Sequence, residues 1–293
     1  MKGKYNKLGC PQLATWKLHL TIILIAALFS GSPAIFAGEP LKEPTLAKDL
    51  VFESPSKSVY KVDPWTDWTI ITLTAAESVY LTVNPGPYIW RECPCDPNTV
   101  NPFDRPQIYY YNQGLYTAAN ATLIASIAGP IFLDANDLGF SKEFNQDMLV
   151  FLEVLSVDQA LINSLKFIIQ RPLPHRYNPS NTSPSEPLDF TAMPSGHTSM
   201  VAAALSATAM TVNLRYGTNY LSWIIAGVLT GSIGLELIYS GEHFATDVII
   251  GGLLGVGVGI TVPLLHELKL DSGNHFNIYP MPNGLGVKYG IVF

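Results

Sequence analysis

Six long apolar stretches punctuate this chain: 68–83, 116–133, 148–169, 199–214, 221–238 and 248–265. Each exceeds the usual strand length, so the pattern predicts six helices and an all-α bundle. Between them Pro, Gly, Asn and Ser gather. Residues 84–112 carry Gly86, Pro87, Pro94, Pro97 and Pro102 and read as an ordered loop, and 172–194 as a flap over an opening. Residues 39–65 are rich in Pro and Lys and read as an extended arm. The tail from Gly284 to Phe293 mixes glycine with β-branched and aromatic residues, which predicts a terminal strand or short hairpin.

The first residues differ in kind. Lys2, Lys4, Lys7 and Lys17 precede the apolar run 20–29, and small residues follow at Ser30, Gly31, Ser32, Ala34 and Ala37. That is the build of an export signal cut between Ala34 and Gly38; an uncleaved anchor would equally deliver Gly38 across a membrane. The expected organisation is a signal over 1–37, an arm over 38–67, a helical domain over 68–268 and a tail over 269–293. After the signal only Cys93 and Cys95 remain, too close together for a long-range staple and without the partners of a zinc site.

Charge sets the surroundings. The net charge of -6 and the lack of a basic stretch argue against a nucleic-acid partner. Charged residues make up 14% of the chain, below the roughly 25% of soluble domains, which leans towards a membrane. Against full spans stand Glu77, Glu153, Asp158 and Glu236, which interrupt the runs. Parity adds to this, because six crossings after an exported Gly38 would put the loops near Arg171, His197 and His243 in the cytoplasm. The sequence therefore favours, narrowly, an exported soluble or peripheral helical domain of the cell envelope over an integral one.

Three segments carry chemistry. Pro194-Ser195-Gly196-His197 opens the fourth run, where unpaired N–H groups and the positive helix end would face an oxyanion beside a histidine. An ordinary serine cap with a surface histidine is the bland alternative. Upstream, Lys166 and Arg171 lie at the cationic end of the third run, stopped by Pro172 and Pro174. Downstream, His243 and Asp247 are four apart at the start of the last run. If that turn is helical, the carboxylate can orient one ring nitrogen and leave the other free.

Over about residues 148–265, these segments in this order resemble the type 2 phosphatidic acid phosphatase and vanadium haloperoxidase superfamily. The resemblance implies a six-helix bundle of that type. It also implies that Lys166, Arg171, Ser195 and Gly196 hold phosphate, that His197 is the general acid, that His243 is the nucleophile forming a phosphohistidine, and that Asp247 orients it. Hydrolysis of this kind needs no metal or other cofactor, and vanadate could mimic phosphate. The substrate implied is a phosphorylated lipid or small molecule: a lipid phosphate, a polyprenyl pyrophosphate or a soluble ester. Two arginines of the family pattern are missing, with Leu173 and Leu237 in their places. A lost oxyanion donor costs on the order of a hundredfold or more in rate. A phosphate-binding or lipid-binding pseudoenzyme is therefore the alternative, ahead of a vanadate-dependent haloperoxidase.

Overall fold

The computed structural model describes residues 58–93 and 95–267, and the backbone of 275–281 and 284–290. The predicted signal and most of the predicted arm lie outside the described residues. Six α-helices form: α1 Pro64–Val83, α2 Gln113–Leu138, α3 Lys142–Ile169, α4 Gly196–Tyr216, α5 Tyr220–Ser240 and α6 Ala245–His266. In the tail, β1 His275–Met281 pairs antiparallel with β2 Gly284–Gly290.

The helices start earlier than the apolar runs because polar caps set their first turns. Asp63, Asn112, Ser141 and Asn219 each accept from a backbone N–H at a helix start. Pro130 lies inside α2 without ending it.

α4 is the axis of the bundle. Val201, Ala202, Ala203 and Ala204 on it are fully buried. Its small side chains let α6 approach backbone to backbone. A Cβ added to Gly251, Gly255 or Gly259 would stand 2.4, 2.1 or 2.4 Å from the carbonyl oxygens of Ser195, Ser199 and Ala203. Gly227 and Gly231, also aligned in the sequence, have open space where a Cβ would be. One core cluster joins Val150, Phe151 and Val154 of α3 to Ala203, Ala204 and Ala207 of α4, and another joins Val201 and Leu205 to Ile233 and Leu237 of α5.

The helices alternate in direction, which gives the bundle two distinct ends. At one end Lys61 N–H donates to His266 O (2.7 Å), Tyr60 pairs with Glu267, and Arg215 meets Asp134 and Asp147. At the other end the termini of α3 and α5 meet the starts of α2, α4 and α6, where Asn112 N–H donates to Ser240 O (3.1 Å) and Ser195 N–H to Asp247 O (3.0 Å).

The outward faces are apolar. Leu221, Ile224, Val228 and Leu235 on α5, and Ile249, Leu253 and Val256 on α6, recur at helical spacing and are exposed. Four segments are long and apolar enough to cross a membrane: Gln113–Leu138, Lys142–Tyr177, Tyr220–Ser240 and Ala245–His266.

Candidate active site

The end of α3, the start of α4 and the turn before α6 bring the three chemical segments together. Ser195 caps α4. Its buried Oγ stands 3.0 Å from Thr198 Oγ1 and accepts from Thr198 N–H at 3.5 Å. Gly196, the first helical residue, keeps its N–H among the unpaired donors of the first turn. The Lys166 ammonium reaches this turn, lying 3.4 Å from where a Cβ on Gly196 would sit. Gly251 holds the cradle from behind, since no side chain would fit between α6 and Ser195.

His197 projects from the same turn, and its Nε2 lies 3.0 Å from Asn120 Oδ1 on α2. Facing an amide oxygen, Nε2 carries the proton, which leaves Nδ1 as the acceptor in the neutral ring. Burial first, then the charges of His243 and Lys166, lower its pKa to about 4.

His243 is buried and precedes α6 instead of lying within it. α5 ends in the left-handed Gly241 (φ 82°), and the chain bends through His243 to the extended Phe244. The helical His–Asp pairing expected from the spacing is therefore loosened: His243 Nδ1 stands 3.7 Å from Asp247 Oδ2 and has no hydrogen-bond partner among the described residues. Asp247 Oδ2 already accepts from Phe244 N–H (2.9 Å), and Oδ1 from Arg171 (2.5 Å).

Arg171 bridges two buried carboxylates instead of standing free beside the cradle. One nitrogen meets Asp247 and Thr246 Oγ1 (2.6 Å), and another meets Asp104 (2.8 Å), while the guanidinium lies 4.1 Å from the centre of the Phe244 ring. Asp104 belongs to the 84–112 loop and is fully buried. It also accepts from Thr246 N–H (3.1 Å), Thr246 Oγ1 (2.5 Å) and Asn101 (2.7 Å). Burial acts to raise the Asp104 pKa, but the hydrogen bonds from Thr246, Arg171 and Asn101 outweigh it and hold the carboxyl below its ordinary range.

The positions of the missing arginines differ from each other. Leu237 is fully buried among Ala119, Val201 and Ile233, so the core occupies that position. Leu173 starts the short turn 174–177, and its N–H donates to Asp189 O. The neighbouring Arg176 holds the flap, donating to Ser183 O and Ser185 Oγ (both 2.8 Å) and pairing with Asp189. Cys93 and Cys95 are disulfide-bonded to each other.

Sequence reasoning singled out neither Asp104 nor Asn120. Each meets its partner only through tertiary contact, 67 residues from Arg171 and 77 from His197. Neither belongs to a local pattern that could have exposed it.

The geometry agrees with the family comparison. Residues 147–270 match the model of the PAP2 superfamily. Over that segment the chain is similar to the PAP2 superfamily. Among curated proteins none matches. A solved structure, that of a transmembrane PAP2-type phosphatidylglycerolphosphate phosphatase from Bacillus subtilis, is similar at 19% identity and a TM-score of 0.44, covering 68% of this chain and 94% of that one. The PAP2 match spans the segments that carry Lys166, Ser195, His197, His243 and Asp247.

Proposed function

We propose that this chain is a membrane-embedded PAP2 phosphatase that cleaves a lipid phosphate through a phosphohistidine at His243. The observation that supports this most is the convergence at the start of α4 of Lys166, the Gly196 amide, His197 and His243, drawn from three different segments. Lys166 and the first-turn amides hold the phosphoryl oxygens. The Nδ1 edge of His243 faces Asp247, so Nε2 attacks phosphorus while the P–O bond to the alcohol breaks. His197 delivers a proton to the departing oxygen, and in the second half it takes a proton from the water that attacks phosphorus as the P–N bond to His243 breaks. Burial, then the charges of His243 and Lys166, hold His197 neutral. An arriving phosphate dianion opposes the charges of His243 and Lys166 and restores the proton that the acid must carry.

The membrane reading rests on the four candidate spans together with the apolar stripes that α5 and α6 turn outward. Contiguous exposed apolar surface on this scale suits lipid better than water. It replaces the narrow preference for a soluble or peripheral domain drawn from sequence. Glu153, Asp158 and Glu236, which argued against spans, are buried inside the bundle instead of facing outward.

A second reading, a PAP2 protein that binds phosphorylated lipid without turnover, draws on the capture of Arg171 by Asp104 and Asp247 and the burial of Leu237 in the core. Phosphate release decides between them, measured with detergent-purified protein on phosphatidic acid in mixed micelles and on a soluble aryl phosphate. Turnover of the lipid that disappears in folded His243→Ala supports the enzyme. Binding of the lipid without release by wild type supports the second reading.

A further inference from the structure

The end of the bundle opposite the phosphate cradle holds a second group of chemically active side chains. Asp67 in the first turn of α1, Glu153 on α3 and His266 in the last turn of α6 offer ligand atoms that all lie within 4.8 Å of one another. Glu153 precedes Lys166 by thirteen residues on the same helix, about 20 Å along its axis, so this cluster has no part in phosphate chemistry.

Three features separate it from a plain ion-pair triad. First, His266 Nδ1 stands 2.9 Å from Val262 O; a ring nitrogen facing a carbonyl must donate, so the neutral ring turns the lone pair of Nε2 towards the two carboxylates. Second, Nε2 lies 3.4 Å from both Asp67 Oδ1 and Glu153 Oε2, where charge-assisted hydrogen bonds close to about 2.7–2.9 Å. Glu153 is 5% exposed, and its Oε2 has no hydrogen-bond partner among the described residues. Third, the outer atoms are already anchored, with Asp67 Oδ2 accepting from Asp63 N–H (2.9 Å) as His266 Nδ1 is held by its carbonyl. Ligands oriented from behind in this way are the mark of a metal centre.

We propose that Asp67, Glu153 and His266 bind one zinc ion that clamps α1, α3 and α6 together. Donors about 2.0–2.1 Å from a tetrahedral ion stand about 3.3–3.4 Å apart, matching both imidazole–carboxylate separations; octahedral neighbours at that bond length would stand about 2.9–3.0 Å apart. Imidazole among the ligands favours zinc over magnesium or calcium, and water completes the fourth position. The ion neutralises two buried carboxylates and ties the incoming segment, where Lys61 N–H meets His266 O, to the end of α6.

The test uses the full chain in detergent, stripped with a chelator and passed through gel filtration after zinc is added. One zinc per chain is expected in wild type, with a higher melting temperature than the stripped protein and, with cobalt(II) as the probe, the intense visible bands of a four-coordinate ion. Glu153→Gln, which keeps shape and removes the charge, and His266→Gln should each weaken zinc binding tenfold or more. Wild type without bound zinc, or undiminished zinc in folded Glu153→Gln, overturns the proposal. If neither variant folds, the cobalt spectrum of wild type decides, and bands of six-coordinate cobalt or none count against it.

Discussion

Gly251 offers a direct test of how the cradle is held. A Cβ at this position would stand 2.4 Å from Ser195 O, 3.1 Å from Ser195 N and 3.2 Å from Ser195 C, all of them backbone atoms that no rotamer change can move aside. Ordinary contact begins near 3.4 Å, so Gly251→Ala must drive α6 and the start of α4 apart by about 1 Å. Overpacking of this kind costs about 1–3 kcal/mol in stability. The functional cost is larger, because the displaced residue carries the hydrogen bond from Ser195 N–H to Asp247 O and caps the helix whose amides face the phosphate. A misplacement of about 1 Å costs on the order of a hundredfold in turnover. The same helix supplies the control. Gly257 has nothing within 4 Å of a new Cβ, so Gly257→Ala should leave turnover unchanged and gain up to about 1 kcal/mol from helix propensity. Phosphate release and thermal unfolding of both variants in one detergent are the measurements. Equal activity and equal melting temperature in the two would refute the claim that backbone contact between α6 and Ser195 positions the site.

Four further outcomes follow from the same geometry. The His197 pKa lies near 4 in the fold and near 6.5 in an unfolded chain, so the unfolded state binds more protons between these values and stability falls as pH drops from 6.5 to 4; His197→Asn should flatten that part of the denaturation profile, and an unchanged profile counts against the shift. Asp104→Asn leaves Arg171 with one carboxylate and should cost about 3–5 kcal/mol as a broken buried pair, lowering kcat more than it raises KM because Asp247 is pulled off position; a stability profile matching wild type would show the bridge to be idle. Leu237→Arg should destabilise the protein in thermal unfolding without tightening vanadate binding, since it places a cation in a fully buried apolar site. Cysteines at Lys61 and Asn181 should react with an impermeant thiol reagent from opposite sides of the membrane in a Cys93/Cys95-free background, because these positions lie at opposite ends of the bundle; labelling from one side would mean that the helices between them do not cross.

The helices were legible because burial and lipid exposure both demand apolar residues over a length that only a helix uses. Their first turns were not, because Asp63, Asn112 and Ser141 are polar caps and fall outside any apolar run. The glycines of α6 looked no different in sequence from Gly227 and Gly231, yet the first set touches backbone and the second set faces open space; only the path of α4 separates them. The proposed membrane placement turns on a related point. A carboxylate in an apolar run counts against a span only if it faces lipid, and the sequence could not show that Glu236 accepts from Thr122 on α2 or that Asp158 accepts from Ser199 on α4.

At the site, the order of the motifs revealed which residues meet but not how their charges pair. Arg171 reads as a phosphate ligand because it is a cation near Lys166, and a lone guanidinium beside an oxyanion cradle would act as one. Asp104 changes that. Arg171 lies between two buried carboxylates and compensates the charge of both. The bridge then fixes the oxygen of Asp247 that does not face His243, and Phe244 N–H fixes the other. Both oxygens of the carboxylate are thus held from sides other than His243, whose Nδ1 stands 3.7 Å away. In the proposed reaction, the guanidinium withheld from phosphate clamps Asp247, which would orient His243. The same proposal leaves the neutralising of the phosphoryl oxygens to Lys166 and the amides of α4.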